Sequence, residues 1–121
     1  MMLKNFLWVG LGGAVGSVLR YAVSLLLRTG IFPASTLLVN LIGCFLLGVI
    51  TGYAVKDPIT MDNWKPLLAT GLCGGFTTFS AFSMESLALL QQQRTGLFIL
   101  YVTGSILMGM LAVWLGMTSI K

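Results

Sequence analysis

Charged side chains are absent from four long segments of this chain: residues 5–19, 29–55, 66–84 and 95–120. A helix that crosses a bilayer needs about 20 predominantly apolar residues, each adding about 1.5 Å of length. The whole chain is 57% hydrophobic and 8% charged, so these segments have the composition of membrane helices. The sequence therefore predicts an all-α integral membrane protein. Its four transmembrane helices are placed near residues 4–28, 34–55, 66–92 and 96–118.

We interpret residues 1–121 as a single membrane domain, because the chain shows no repeat, linker or low-complexity tract. The first span could instead be a cleaved signal peptide. Its apolar run continues past Arg20 to Leu27, however, and three further spans follow, so a membrane helix is the better interpretation. The prolines Pro33, Pro58 and Pro66 are expected at or outside helix starts, where a missing N–H costs little.

The loop charges are nearly balanced between the two membrane faces. Four spans would place four lysines on one face (Lys4, Lys56, Lys65 and Lys121) and three arginines on or near the other (Arg20, Arg28 and Arg94). Because Lys/Arg asymmetry sets the direction of insertion, a near-tie is typical either of a chain that inserts both ways or of an ordinary weak bias. Insertion both ways would permit an antiparallel homodimer. No basic cluster suited to nucleic acid is present, so the expected surroundings are membrane lipid.

The third span contains a segment that should break its helix. Gly71–Phe82 combines three glycines with threonines, a serine and phenylalanines inside an apolar run. Unpaired backbone groups are costly in hydrocarbon, so irregular backbone at this depth must be buried in protein or line a cavity. Unwinding from Gly74 to Thr78 would free carbonyl oxygens, which are ligands for a hard cation such as sodium. The segment indicates transport.

Polar side chains form stripes on two other spans. On the second span, Thr36, Asn40 and Gly43 share one helical face, and Asn40 needs a partner in protein, water or an ion. An interhelical hydrogen bond would also satisfy it. On the fourth span, Tyr101 and Ser105 lie one turn apart, so either their hydroxyls follow a path inward or Tyr101 belongs to an interfacial aromatic belt.

Two ionisable residues lie within spans, and the sequence allows two interpretations of each. Arg20 either extends to the interface or faces a water-filled vestibule. Glu85 is a functional candidate as an acid within a span, but it could also lie near the wet end of its helix. The chain has no histidine and only three acids, which disfavours an enzyme.

The remaining polar groups are neutral donors and hydroxyls, a set suited to a small hard anion. Phe79 and Phe82 lie three residues apart on the same helical face, and the positive edge of an aromatic ring can face an anion. Thr78 and Ser80 alternate with these rings.

Several segments together resemble the small dual-topology fluoride channels of the Fluc or CrcB family. The first span contributes Gly12, Gly13, Gly16 and Arg20, the second Asn40, Gly43 and Gly48, and the fourth Tyr101 and Ser105. The most discriminating piece is the third-span run from Gly74 to Phe82.

The resemblance implies a fluoride-selective ion channel in the cell (inner) membrane that exports fluoride passively and protects against its toxicity. It further implies an antiparallel homodimer with two pores. By the same resemblance, the fluoride pore would be formed by these residues: Asn40, Phe79, Phe82, Tyr101, Ser105, Arg20, Thr78 and Ser80. A structural sodium ion would be the cofactor, held by the backbone carbonyls of Gly74 and Thr77.

Two other classes compete with this interpretation. A four-helix proton-coupled exporter should depend on a deeply buried acid, and the first two spans contain none, which leaves Glu85. A structural or accessory membrane subunit would explain the small residues but not Asn40 or the broken third helix.

Overall fold

The computed structural model describes residues 2–27, 30 and 32–120, and the regular structure within them is helical. The elements, in chain order, are α1 (Met2–Leu26), α2 (Ala34–Lys56), α3 (Pro58–Lys65), a π-helical segment (Pro66–Cys73), α4 (Gly74–Phe76), α5 (Phe79–Gln91) and α6 (Thr95–Thr118). Four helical stretches are long and apolar enough to cross a membrane, the third being Pro58–Gln91. The all-α class with four spans and an interrupted third span is confirmed.

The third span departs from its predicted shape at Pro66. Proline lacks an N–H, so it cannot bind the carbonyl of Asp62 one turn earlier, and the hydrogen-bond pattern changes at this residue. Pro66 is the first residue of the π-helical segment, but the third span does not begin there. Instead, the helix continues from α3 through Pro66 into the π-helical segment. Widened turns of this kind are rare in helices and often lie near functional sites.

The break itself is shorter than predicted. Gly74, Gly75 and Phe76 are helical, and only Thr77 and Thr78 leave the helix, with φ/ψ of −87°/162° and −152°/116°. The expectation of unwinding from Gly74 onward is therefore wrong. Gly75 serves close packing instead, since a Cβ atom there would lie 2.9 Å from the Cα of Gly13, whereas the threonines can replace helical hydrogen bonds with their own hydroxyls.

Glycines bring two pairs of helical elements into close contact. Where α1 crosses the π-helical segment, a Cβ atom on Gly12 would lie 3.0 Å from the Cα of Gly71. Where α2 crosses α6, a Cβ atom on Gly48 would lie 3.1 Å from the Cα of Gly116. Such small-residue crossings replace the hydrophobic driving force that membrane helices lack.

The outer surface of the subunit is apolar. Large hydrophobic side chains are exposed on every long helix, among them Phe6, Val55, Leu87 and Leu107. Lipid or a second protein surface must cover such a face. Lys4, Lys56, Lys65 and Arg94 are exposed at the ends of the spans, while Arg28 and Lys121 lie outside the described residues.

Candidate ion-binding cavity

A cavity of about 390 Å³ lies between α2, the third span and α6. Five of the eight predicted pore residues line it: Asn40, Thr78, Phe79, Phe82 and Ser105. The two residues predicted to hold sodium, Gly74 and Thr77, line it as well. The helix break therefore forms part of the wall of a partly polar cavity.

Asn40 replaces the backbone acceptor that the Thr78 N–H loses at the break, and it also binds the Thr78 carbonyl. The N–H of Thr78 donates to Asn40 Oδ1 at 2.9 Å, and Asn40 Nδ2 donates to the Thr78 carbonyl at 3.3 Å. Because the Thr78 N–H requires an acceptor, this pairing fixes which end of the amide is oxygen. An amide NH₂ group has two N–H donors, and the pairing with Thr78 uses one of them, so the second N–H of Asn40 Nδ2 is not used in this pairing.

The break deprives the four carbonyls of residues 74–77 of their helical donors, among them those of Gly74 and Thr77. In an unbroken helix the Gly74 carbonyl would accept from the N–H of Thr78, and the Thr77 carbonyl from the N–H of Ala81. The Thr78 N–H instead binds Asn40, and the Ala81 N–H donates to Thr78 Oγ1 at 3.1 Å. The two carbonyls that lose these donors are those predicted to ligate a cation.

The Ser105 hydroxyl is the second polar group of interest in the cavity. Its Oγ atom is buried and has no hydrogen-bond partner within the part of the chain that the structure describes. A buried hydroxyl without a partner costs free energy unless a water or ligand satisfies it. Ser105 therefore offers an unused donor or acceptor beside Asn40.

Aromatic rings connect the cavity to a neighbouring buried cluster. The ring centroids of Phe79 and Phe82 are 5.9 Å apart, and Phe82 lies 5.2 Å from Tyr101. Tyr101 in turn meets Phe32 edge to face at 5.6 Å. Phe79 is 79% exposed, so the cavity borders the subunit surface on the side where Phe79 lies.

Three predicted pore residues lie outside the cavity lining. Arg20 is partly buried, and its Nε donates to the Gly75 carbonyl at 3.1 Å. Ser80 is exposed, with its hydroxyl 3.3 Å from that of Thr78. Tyr101 is almost fully buried, at 1% exposure, and it borders the cavity through Phe82.

Glu85 forms a cluster that the sequence interpretation missed. Its carboxylate accepts hydrogen bonds from Thr36 Oγ1 at 3.0 Å and from the Tyr101 hydroxyl at 3.2 Å. The Tyr101 and Ser105 hydroxyls thus do not share one partner, although they lie on the same face of α6. Helical spacing predicts that Thr36 and Asn40 share a face of α2. The contact of Thr36 and Tyr101 with Glu85, however, depends on how three helices pack together. A second cavity, of about 220 Å³, is lined by Glu85, Ser35 and Gln92.

A multi-pass helical membrane protein whose broken span lines a mostly apolar cavity with a few polar groups has the architecture of an ion-transport protein. Comparison with known proteins is consistent with this class. Residues 7–117 match the model of the CrcB-like family, described as CrcB-like protein, Camphor Resistance. The chain belongs to this family, and the resemblance inferred from the sequence is confirmed.

Several curated relatives are named fluoride-specific ion channel FluC. The protein from Azobacteroides pseudotrichonymphae is 47% identical, covering 95% of this chain and 94% of the relative. That from Flavobacterium psychrophilum is 40% identical over 98% of each chain, and that from Phocaeicola vulgatus is 46% identical over 94% and 96%. The family is one of channels, which confirms that the chain is a multi-pass membrane protein and not an enzyme.

Proposed function

We propose that this chain is a fluoride-selective channel that lets fluoride leave the cell passively and so limits its toxicity. The observation that carries the proposal is the buried Ser105 hydroxyl, which lacks a hydrogen-bond partner among the described residues and lies in the cavity that Asn40 also lines. A second supporting observation is that the curated relatives are named fluoride-specific ion channels.

The chemistry of the cavity suits a small, strongly hydrated anion. Such an ion must exchange its water for other hydrogen bonds, yet remain weakly enough bound to leave. Asn40 and Ser105 supply neutral donors, and the positive ring edges of Phe79 and Phe82 supply weak electrostatic contacts. In this proposal Thr78 and Ser80 add further hydroxyl groups to the pore. Arg20 is the cation at the pore entrance, and Tyr101 forms the far wall of the pore.

The functional unit in this proposal is an antiparallel homodimer with two pores. The exposed Phe79 ring and the apolar outer surface support it, because a second copy would cover both. The near-even distribution of loop cations supports insertion of one sequence in both directions. Each pore would then be lined by side chains from both subunits.

A sodium ion at the dimer centre is the expected structural cofactor. The Gly74 and Thr77 carbonyls fit it, since both lose their helical donors at the break and carbonyl oxygens are ligands for hard cations. When bound, sodium would supply positive charge to the partial negative charges of these carbonyl oxygens. The chain's own contribution is to hold these carbonyls free of other partners.

Passive export needs no energy source when fluoride accumulates as a weak acid. Neutral hydrogen fluoride enters the cell, ionises in a more alkaline cytoplasm and cannot return as an anion except through a pore. A channel carries net charge, whereas an exporter that exchanges a proton for its substrate depends on the proton gradient.

This difference gives the test of the passive mechanism. Liposomes that contain the purified protein and are loaded with potassium fluoride should release fluoride slowly until valinomycin lets potassium leave. Equal rates with and without valinomycin, together with acceleration by an imposed proton gradient, would contradict a channel.

The competing proposal is a proton-coupled small-molecule exporter. The observation in its favour is Glu85, a partly buried acid beside a second cavity. In such an exporter Glu85→Gln should abolish coupled transport, because the proton-binding group is removed. Valinomycin-dependent fluoride flux that persists in Glu85→Gln would eliminate the exporter.

A further inference from the structure

Gly43 of α2 lies directly against the break in the third span. A Cβ atom built on Gly43 would overlap the Cγ2 methyl group of Thr77, while Thr77 Cβ and Phe76 Cδ2 would be at 3.6 and 3.8 Å. The last two distances are ordinary contacts. The absence of a side chain at residue 43 therefore leaves a socket that the Thr77 methyl fills.

Thr77 is held on its other side by a hydrogen bond. Its Oγ1 atom donates to the Cys73 carbonyl at 2.9 Å, and that carbonyl also accepts from the Thr77 N–H at 3.0 Å. If the methyl were displaced, rotation about χ1 would break the Oγ1 bond. The alternative is movement of the Thr77 backbone. Thr77 and Thr78 are the only two non-helical residues within the Pro58–Gln91 stretch.

We propose that Gly43 is a positioning residue for sodium binding: its socket fixes the Thr77 side chain and thereby the free carbonyls of the break. This inference rests on the sodium site in the proposed function. The orientation of the Thr77 carbonyl depends on ψ of Thr77 and φ of Thr78, both of which lie in the extended region. Asn40, one turn earlier on α2, holds the Thr78 side of the same break.

The test is a two-residue cycle with sodium-dependent stability as its readout. Gly43→Ala should raise the sodium concentration that gives half-maximal thermal stabilisation of the purified protein by about tenfold or more, because overpacking must shift the backbone. Serine keeps the Oγ atom of threonine and lacks the methyl group. Thr77→Ser alone empties the socket and should therefore raise the sodium midpoint, by less than Gly43→Ala does.

The double variant carries the decisive expectation. Gly43→Ala combined with Thr77→Ser should return the sodium midpoint to within about twofold of the wild type, because only the ordinary contacts remain. Gly109→Ala is the matched control, since a Cβ atom there would meet Cys44 Sγ at an ordinary 3.6 Å. N-methylglucamine chloride at equal ionic strength replaces sodium chloride in the reference samples.

Each outcome bears on a separate statement. A wild-type midpoint in Gly43→Ala, or a failure of Thr77→Ser to restore it, overturns the positioning role and leaves the sodium site standing. If sodium does not stabilise the wild type, the sodium site and this inference both fail, while fluoride conduction is tested independently by efflux. If Gly43→Ala does not fold, recovery of a folded, sodium-stabilised double variant supports the inference, and no recovery overturns it.

Discussion

Asn40 has two roles that its amide can perform at once. It completes the backbone of Thr78 through one donor and one acceptor, and it retains a further N–H hydrogen at the cavity. The two interpretations open at the sequence level, an interhelical hydrogen bond and a pore donor, are therefore compatible. The first is observed, and the second remains a proposal.

Asn40→Asp separates these two roles. A carboxylate can still accept from the Thr78 N–H, but it loses the donor and places a negative charge where the anion should pass. Coulomb repulsion is strong in a low-dielectric site, so fluoride efflux from liposomes should fall by at least about tenfold. Thr51→Ala is the control, because Thr51 is exposed and its hydroxyl donates to the Leu47 carbonyl of its own helix. Unchanged efflux in Asn40→Asp would remove Asn40 from the pore.

Phe82→Ile tests the ring edges. Isoleucine fills part of the volume but has no quadrupole to present to an anion, so fluoride efflux should fall by at least about tenfold, equivalent to 1.4 kcal/mol, while the purified oligomer keeps its elution volume. Phe45→Ile on the exposed face of α2 should leave efflux near the wild-type rate. Wild-type efflux in Phe82→Ile would contradict a ring-edge contact.

At the scale of elements, a glycine crossing brings α2 and α6, which both line the cavity, into close contact. A Cβ atom on Gly116 would overlap the Phe45 carbonyl, whereas one on Gly96 of the same helix would meet nothing within 4 Å. Gly116→Ala should destabilise the folded protein by about 1–3 kcal/mol, seen as a lower temperature of thermal aggregation in detergent. Gly96→Ala should leave that temperature unchanged. Equal temperatures for both variants would contradict a backbone crossing at Gly116.

The sequence predicted the elements better than it predicted the break. Long uncharged segments define membrane helices because hydrocarbon admits no unpaired backbone, and the four spans followed from that constraint alone. Glycine-rich sequence suggested unwinding at Gly74, but Gly74 is helical, and Gly71 and Gly75 pack closely against α1. The hydroxyls of Thr77 and Thr78 and the amide of Asn40 determine where the helix opens, and that depends on a partner helix.

The candidate site shows the same limit. Asn40, Phe82 and Ser105 could be selected from their depth and helical spacing, and all three line one cavity. The meeting of Glu85 with Thr36 and Tyr101 joins residues 49 and 16 positions apart, which no local pattern encodes.

At the scale of the whole molecule, the central proposal is that one sequence inserts in both directions. Among the described loop and span-end cations, one predicted membrane face has Lys4, Lys56 and Lys65, and the other has Arg20 and Arg94 on or near it. The resulting bias in the direction of insertion is weak. C-terminal fusions to a fluorescent protein that matures only in the cytoplasm and to an alkaline phosphatase active only outside it should both be active. Activity of only one fusion would contradict dual insertion.

The most direct test of the fluoride channel is efflux from liposomes that contain the purified protein alone, followed with a fluoride electrode and repeated with chloride under the same driving potential. A pore lined by Asn40, Ser105 and aromatic edges should release fluoride rapidly and retain chloride. Equal release of both ions, or no fluoride release from a well-folded sample, would contradict the proposed function.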